Sequence, residues 1–396
     1  MSLYWIVFLV VIIFLLFDFD GIKLVLKAQT GRGIRLLRLN SLPWLIMTGL
    51  MSLRYMQGTD YIGHWRGFNN EVSALDFAEI IQNRHDIHFE LGWMLFNKTL
   101  YNCGISFEAL IFVISFAEML LIRRFIKRYC PRFENVCLCV IFPAFYYYYC
   151  ISFVRQGLVM CIFMGVMFQL YEEKKYLKYI LLTLLCITIH QVAMVYFVFL
   201  ILGYLSRLNI EKFLIYLCVI CFFLGIILYK TGIDTYVYSI LPYTIGGHFS
   251  VHMGYGAILY RLFWIVLISY MCNRMEMEAF SKKLYFIYLS SIMLFFFFSG
   301  YTMFVNRAFS MYTYVLEFYF VSKYLNEKKD EGRIKTNILK AVIPIVMTVI
   351  LIKNINGAIV QVSYGDGINF INYPYISVFD KDDYKDLTGR EHPSLP

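Results

Sequence analysis

Long apolar runs separated by short charged clusters dominate the chain. Repeated runs of about 18 to 22 residues have the length at which a helix crosses roughly 30 Å of hydrocarbon. The pattern therefore predicts an all-α, polytopic integral membrane protein with about twelve spanning helices, for which a GT-C-like architecture is one option. The predicted spans are residues 3–18, 39–54, 105–122, 135–150, 155–171, 177–189, 191–206, 212–229, 256–272, 283–299, 302–322 and 337–353.

One apolar stretch has an unusual length. Residues 179–206 are 28 residues interrupted only by His190 and Gln191, which is long for one helix and short for two full spans. Two short segments meeting at His190 give the stronger charge asymmetry between the two sides, so we predict that arrangement, with a single tilted helix as the alternative. Irregular backbone inside a bilayer needs cover from protein or water, so this break is a candidate for a buried site.

Composition agrees with a membrane protein. The chain is 60% hydrophobic and only 16% charged, whereas soluble domains carry about 25% charged residues. With this topology, 24 of the 36 lysines and arginines fall in alternate loops, which we therefore expect to be cytoplasmic, with both termini outside. Because the net charge of +9 is distributed by membrane side, nucleic acid is not predicted as a partner.

The chain shows no composition change that would mark a separate soluble domain. We predict a single membrane domain over residues 1–396, with an outer loop at 55–104 and an outer tail at 354–396. The first apolar run has no basic region before it and no small-residue cleavage site after it, so we interpret it as a retained span.

Metal and nucleotide motifs are not found. Most of the ten cysteines lie within apolar runs and are expected to be packing residues, including Cys218 and Cys221, whose CxxC spacing has no second pair. His248 and His252 stand four residues apart, but no third ligand accompanies them. There is no phosphate-binding loop, HExxH or GxSxG motif, so neither a metal, a cofactor nor ATP-driven transport is predicted.

The polar residues that are hardest to explain as solvated loops fall on the predicted outer side. They are Arg54, Asp60, Tyr61, Glu90, Arg155, Gln156, His190 and Arg307. Among them, Arg155 stands between two apolar runs, where an arginine costs about 2.5 to 3.5 kcal/mol unless it has a partner or lines a wet cavity. Its position therefore calls for a compensating anion.

Two interpretations of Arg155 remain open. It either forms an ion pair with Glu90 or Asp60 that fixes helix packing, or it holds an anionic substrate, because a guanidinium group binds phosphate bidentately. If residues 152–156 begin a helix, the N–H groups of that helix would add to the same anion site. A diphosphate-linked lipid has the chemistry that such a site would bind.

The remaining candidates carry paired interpretations as well. Glu90 and Asp60 are each a general base or an ordinary loop or capping carboxylate. His190 transfers a proton, binds a sugar or phosphate, or packs as a polar core residue. Tyr61 is a candidate for stacking on a sugar, while Arg54 and Arg307 are either substrate ligands or structural cations.

Several short strings together resemble the EpsG-like branch of Wzy-type polysaccharide polymerases. These strings are RYMQGTDY at 54–61, ELG at 90–92, SFVRQGL at 152–158, IHQVAM at 189–194 and NRAFSMY at 306–312, with NYPYISVF at 372–379 as a weaker element. The resemblance covers most of the chain, and SFVRQ is its most specific part. The residues after His190 depart from the usual small-residue pattern, which leaves the role of that histidine less defined.

The resemblance implies a glycosyltransferase of the bacterial inner membrane that needs no nucleotide sugar, metal or cofactor. Such an enzyme would act at the periplasmic face and transfer a growing glycan from undecaprenyl diphosphate to a new lipid-linked repeat unit of capsule, O-antigen or exopolysaccharide. Membrane lipid, a chain-length regulator and a flippase would be its partners. We expect catalysis from Asp60, Glu90, Arg155 and His190, and substrate binding from Arg54, Tyr61, Gln156, Arg307 and Tyr312.

Three other functions remain as alternatives. An exporter or flippase of lipid-linked sugar should have basic residues along the depth of a central cavity, whereas the predicted mid-span regions are nearly uncharged except for Glu118 and Glu317. A membrane O-acyltransferase would need a reactive histidine on an acyl path. An O-antigen ligase would share the donor and differ only in the acceptor, so the family resemblance is what separates it from a polymerase.

Overall fold

The computed structural model describes residues 3–20, 22, 25–30, 33–58, 60–82, 89–208, 210–231, 255–298, 302–330, 342–352 and 375–383. A helix lies at each of the predicted spans. Within these residues, four helical segments are long and apolar enough to cross a membrane: Leu3–Asp20, Val154–Glu172, Gln191–Leu208 and Ala279–Phe297. Shorter apolar helices are Leu42–Ser52, Tyr176–Ile189, Phe213–Leu228, Ile258–Cys272 and Val342–Ile352. The protein is thus an α-helical, multi-pass membrane protein, and the count of twelve crossings stays a prediction.

The chain divides into two compact units. The first unit comprises Met1–Val166, Thr188–His190 and Lys328–Pro396, and the second comprises Met167–Ile187 and Gln191–Glu327. The single membrane domain predicted from the sequence stays a prediction.

Helices of very different length build the first unit. They are Leu3–Asp20, Leu42–Ser52, Tyr61–Arg66, Phe77–Gln82, Leu91–Asn102, Phe107–Tyr129, Glu134–Ile141 and Val154–Ile162. Wider π-helical turns occupy Gly67–Val72, Phe142–Cys150 and Phe163–Met167, the last of which ends at the boundary with the second unit. Short 3₁₀ turns occupy Leu39–Ser41 and Lys381–Asp383. The predicted outer loop 55–104 is therefore largely helical.

One β-hairpin departs from the predicted all-α fold. Val25–Thr30 pairs antiparallel with Gly33–Arg38, from Val25 opposite Arg38 to Thr30 opposite Gly33. The strands are only six residues long, so a search for long apolar runs does not detect them.

A buried aspartate joins the first helix to the helix Glu134–Ile141. The Asp18 carboxylate accepts hydrogen bonds from the backbone N–H of Asn135 at 2.6 Å and from its side-chain amide at 3.0 Å. Acceptors at a helix N-terminus satisfy N–H groups that the helix itself leaves unbonded. Asp18 therefore fixes where this helix starts, and the two helices pack against each other.

The helix Phe107–Tyr129 has 23 residues and is the longest described helix of the first unit. Ser106 begins it, accepting a side-chain hydrogen bond from the N–H of Ala109 at 3.3 Å. It packs against Leu42–Ser52 and against Val154–Ile162. The indole N–H of Trp44 donates to the carbonyl of Met119 at 2.9 Å, so the helix Leu42–Ser52 is held in register against it.

Part of the C-terminal tail pairs with the chain that leaves the second predicted span. The N–H of Tyr55 donates to the carbonyl of Ile376, and the N–H of Val378 donates to the carbonyl of Leu53, each at 2.9 Å. Ile376 is fully buried within the aromatic core of this unit. The tail residues therefore belong to the folded core that supports residues 54–61.

Most helices of the second unit are at least eleven residues long. The helices are Phe168–Glu172, Tyr176–Ile189, Val195–Leu205, Glu211–Thr231, Tyr255–Cys272, Ala279–Phe297 and Thr302–Asp330, with 3₁₀ turns at Gln191–Met194 and Ser206–Leu208. The helix Ala279–Phe297 packs against both Glu211–Thr231 and Val195–Leu205. Helix Tyr176–Ile189 ends at Ile189, and His190 is not helical. The break that the sequence predicted at His190 is confirmed.

Candidate functional site

Three of the predicted catalytic residues meet in the first unit. The guanidinium of Arg155 forms an ion pair with Oε2 of Glu90, and Nδ1 of His190 lies 4.0 Å from Oε1 of the same carboxylate. Their side chains are 13%, 18% and 13% exposed, respectively. Of the two partners considered for Arg155 from the sequence, the structure gives it Glu90. A cation, a carboxylate and an imidazole thus share one partly accessible position, which we call the Glu90 cluster.

Arg155 occupies the first turn of a helix, as its sequence context predicted. The chain turns at Ser152 and the helix Val154–Ile162 follows. The N–H of Asp60 donates to the carbonyl of Ser152 at 3.1 Å, which ties the segment 54–61 to this turn. The N-terminus of a helix favours negative charge nearby. Backbone and guanidinium therefore both attract anions to this position.

Glu90 reaches Arg155 because its side chain does not cap its own helix. Glu90 precedes the helix Leu91–Asn102 in an extended conformation, and its side chain makes no capping hydrogen bond. Its backbone carbonyl still accepts from the N–H of Met94 at 3.1 Å. The carboxylate therefore remains available to contact Arg155 and His190.

An aromatic platform supports the guanidinium, and sequence reasoning missed it. Arg155 lies over the ring of Phe89, with its Cζ 4.8 Å from the ring centroid. His64 stacks on the same ring, with a centroid separation of 4.9 Å and an interplanar angle of 27°. Such cation–π contacts contribute about 0.5 to 2 kcal/mol. The contact orients Arg155. A phenylalanine at position 89 does not by itself indicate such a contact, so the sequence did not predict it.

Close approaches at two glycines bring the parts of the cluster together. A Cβ on Gly92 would lie 2.3 Å from Oγ1 of Thr188, and one on Gly67 would lie 2.6 Å from the ring of Phe89. A side chain at position 92 would therefore push the segment carrying His190 away from the helix that follows Glu90. The glycine of the ELG string thus has a steric role beside its glutamate.

The turn that carries Arg155 is also packed tightly against Gly58. Gly58 has a φ of +115°, and a Cβ there would lie 2.4 Å from the carbonyl oxygen of Ile151. A residue with a side chain is strained at that φ. The glycine of RYMQGTDY therefore lets the half-buried Asp60 sit beside the turn that precedes Arg155.

Arg54 and Tyr61 are buried beneath this segment. Arg54 is 1% exposed and donates to the carbonyl of Met51 at 2.5 Å and to the hydroxyl of Ser115 at 2.7 Å. Tyr61 is 0% exposed, with its ring edge-on to Phe107 at 5.3 Å, and burial raises the pKa of its hydroxyl above the usual value. The structure thus gives both side chains packing partners, and their predicted contacts with substrate stay predictions.

The other predicted binding residues divide between the units. Gln156 follows Arg155 and is buried in the first unit. Arg307 and Tyr312 lie on the helix Thr302–Asp330 of the second unit, where Arg307 is half-buried and the hydroxyl of Tyr312 is 2.7 Å from that of Ser291. Their participation in substrate binding is untested by these contacts.

The two mid-span glutamates have different surroundings. Glu317 pairs with Arg261 at 3.2 Å inside the second unit, where Arg261 also donates to Ser310 at 2.9 Å. Glu118 is fully buried in the first unit, and neither of its carboxylate oxygens has a hydrogen-bond partner among the described residues. Sequence reasoning singled out both glutamates but missed Arg261, which lies within the predicted span 256–272.

Potential metal ligands come together at one place in the described part of the chain. Glu118, Cys150 and Cys161 offer ligand atoms within 4.8 Å of one another, and the two sulfur atoms are 3.7 Å apart. Cys218 instead contacts the carbonyl of Leu289 at 3.4 Å, in keeping with a packing role. His248 and His252 lie outside the described residues.

Comparison with known proteins identifies one family. A family model described as the EpsG family matches residues 38–376, a range that includes every residue of the Glu90 cluster. No curated protein and no solved structure matched the chain.

Proposed function

The chain belongs to the EpsG family, a family with a role in polysaccharide polymerisation, and from that premise we propose the reaction it catalyses. It transfers a growing glycan from undecaprenyl diphosphate to a new lipid-linked repeat unit, at the outer face of the bacterial inner membrane. The observation that carries the proposal is the Glu90 cluster, because it combines an anion-binding cation with a carboxylate and an imidazole.

The donor end of the reaction needs positive charge. The bond between a sugar and a lipid diphosphate already contains a good leaving group, so the enzyme chiefly has to stabilise the charge that develops on the diphosphate. Arg155 is partly exposed, orients its guanidinium over Phe89 and stands at a helix N-terminus. These features support Arg155 as the residue that binds the diphosphate.

The acceptor end needs a base. In the proposed reaction Glu90 accepts the proton of the acceptor hydroxyl while that oxygen bonds to the anomeric carbon of the donor. The bond from that carbon to the diphosphate breaks, and its electron pair leaves on the diphosphate oxygen. A single displacement of this kind inverts the anomeric configuration, as it does when a carboxylate activates water on the opposite face of a sugar.

Other predicted residues have supporting roles in the proposal. His190 hydrogen-bonds the diphosphate or passes on the proton that Glu90 receives, and Asp60, beside the turn that precedes Arg155, is the second candidate for the base. Gln156, Arg54, Tyr61, Arg307 and Tyr312 are proposed to hold the lipid-linked chains. The reaction as written needs no nucleotide, metal or cofactor.

The length distribution of surface polysaccharide tests the proposal. In cells that lack the protein, complementation with Arg155→Ala should leave single repeat units in place of a ladder of chains on a gel. Loss of one stabilising contact to a developing anion typically slows a reaction by about 10² to 10³. The matched control is Arg66→Ala, because Arg66 is exposed on the same unit.

Protein abundance must be measured together with chain length. If the ion pair only fixed helix packing, its loss in Arg155→Ala would lower the abundance of the protein. A normal ladder from Arg155→Ala at normal abundance would remove the polymerase proposal. Loss of all surface units, with lipid-linked precursors trapped inside the cell, would indicate an exporter.

A further inference from the structure

Arg155, the residue proposed to bind the diphosphate, already has a partner in the structure, and that partner is the proposed base, Glu90. The guanidinium of Arg155 is paired with the carboxylate of Glu90, and the following inference rests on the proposed function of both. An arginine that forms a bidentate contact with a diphosphate uses the same N–H groups that pair with a carboxylate. Donor and base therefore compete for one side chain.

The surroundings of Arg155 restrict how both anions could be held at once. The Cζ atom of Arg155 lies 4.8 Å from the centroid of the Phe89 ring, and the side chain is 13% exposed. Anions contact a guanidinium along its N–H edges rather than its faces. The Nε atom of Arg155 is buried, so a diphosphate reaches the guanidinium at its two terminal nitrogens, one of which, Nη1, donates to Glu90. A bidentate contact through both terminal nitrogens therefore displaces Glu90.

A second polar group, the imidazole of His190, lies near the carboxylate of Glu90 and can contact it once it leaves Arg155. Oε2 of Glu90 accepts from Nη1 of Arg155, and Nδ1 of His190 lies 4.0 Å from the other carboxylate oxygen, Oε1. A small rotation of the Glu90 side chain brings that oxygen within hydrogen-bonding distance of the imidazole. The carboxylate thus has a new partner without leaving the site.

We propose that binding of the donor diphosphate to Arg155 releases Glu90, so that the base becomes available only when the donor is bound. In the resting protein the positive charge of Arg155 weakens Glu90 as a proton acceptor. When the diphosphate takes the guanidinium, Glu90 regains that capacity and accepts the proton of the acceptor hydroxyl. Glu90 then passes this proton to the departing diphosphate, directly or through His190, and once the lipid diphosphate has left the site Arg155 recaptures the carboxylate.

This competition assigns an order to the reaction. A protein whose base is neutralised in the absence of donor does not activate an acceptor hydroxyl prematurely. Donor binding thus precedes acceptor activation at every round of chain growth.

Binding of farnesyl diphosphate to the purified full-length protein tests the inference, with isothermal titration calorimetry as the measurement. Glu90→Gln removes the competing charge, so this variant should bind the probe about fivefold more tightly than the wild type, which corresponds to about 1 kcal/mol. Arg155→Ala should weaken binding. In the Arg155→Ala background, Glu90→Gln should have no further effect, because the shared partner is gone.

The control for the loss of a negative charge is Glu71→Gln, because Glu71 is exposed on the same unit and its substitution should leave the affinity unchanged. If Glu90→Gln binds the probe no more tightly than wild type, the inference is overturned, while the proposed function still stands on the polysaccharide ladder. If the wild type does not bind the probe, the donor site itself is wrong and the inference falls with it. Tighter binding by both Glu90→Gln and Glu71→Gln would indicate general electrostatics and also overturn the inference.

Discussion

Single residues decide whether the Glu90 cluster can assemble, and Gly92 is the clearest case. Alanine is usually preferred to glycine in a helix by about 1 kcal/mol, so propensity alone would favour a side chain at this position. The contact with Thr188 opposes that preference, because a Cβ at position 92 would lie 2.3 Å from its hydroxyl oxygen and 2.8 Å from its carbonyl oxygen. The steric term dominates, since backbone cannot rotate away as a flexible side chain can.

Gly92→Ala should therefore shorten the polysaccharide chains. The added methyl group pushes Thr188 and His190 away from Glu90, and overpacking of this kind costs about 1 to 3 kcal/mol. Chain length on a gel and thermal unfolding of the purified protein measure the two effects. Gly63→Ala is the matched control, because among the described residues no atom outside the neighbouring residues and its own helix backbone lies within 4 Å of a Cβ at that position. A full-length ladder from Gly92→Ala would show that the contact with Thr188 does not position the cluster.

At the scale of elements, the tail residues 375–378 stabilise the segment that leads to Asp60. Two backbone hydrogen bonds join this part of the tail to residues 53–55, and the side chain of Ile376 enters the core formed by Tyr55, Tyr61 and Phe107. A short paired strand gains little stability by itself. The buried side chain therefore provides most of the anchoring.

Ile376→Ala should lower the free energy of unfolding by about 2 to 5 kcal/mol, the usual cost of removing a buried aliphatic side chain. The matched control is Phe379→Ala, because Phe379 is 78% exposed and its loss should change stability by about 0.5 kcal/mol or less. Thermal unfolding in detergent distinguishes the two. Equal effects of both substitutions would mean that Ile376 does not anchor the tail to this core.

At the scale of the whole molecule, the orientation in the membrane follows from the distribution of charge. Loop arginines and lysines are retained on the cytoplasmic side, which predicts that the segment 55–104 lies outside and the turn at residues 172–178 lies inside. Cys103 is exposed, whereas the other nine cysteines are buried. The chain therefore carries a natural labelling site on the predicted outer side.

A membrane-impermeant maleimide should label Cys103 in intact spheroplasts, and Cys103→Ser should abolish that labelling. In the Cys103→Ser background, Lys174→Cys introduces a thiol at an exposed turn on the predicted cytoplasmic side. This second protein should react only after the membrane is permeabilised. The reverse pattern would invert the topology and place the proposed donor site on the wrong face.

Much of this arrangement could be predicted from the sequence, because charge in apolar surroundings is conspicuous. Arg155 and His190 interrupt apolar runs, and the requirement for a counter-ion narrowed the partner of Arg155 to two carboxylates, one of which is Glu90. Long apolar runs likewise located the helices. In each case the physical cost of polarity in a bilayer provides the signal.

The remaining features depend on contacts between segments far apart in sequence. Phe89 is one of 37 phenylalanines, and its contact with Arg155 is visible only once the two segments are folded together. The steric role of Gly92 depends on Thr188, almost a hundred positions later. The helices within the predicted outer loop escaped notice for another reason, because they are too short and polar to resemble spans.

The number of residues in the π-helical turns of Phe142–Cys150 affects the position of Arg155. A π-helix accommodates one more residue per hydrogen-bonded turn than an α-helix does. Deleting one residue there would remove the extra residue and return the backbone hydrogen bonds to the α-helical pattern. Arg155 lies only a few residues beyond this segment, after the turn at Ser152. An insertion or deletion would therefore shift the turn that positions Arg155 while leaving every chemical group present. A design that moves the site into another helical scaffold therefore has to keep the length of this segment, which matters more than the residue types within it.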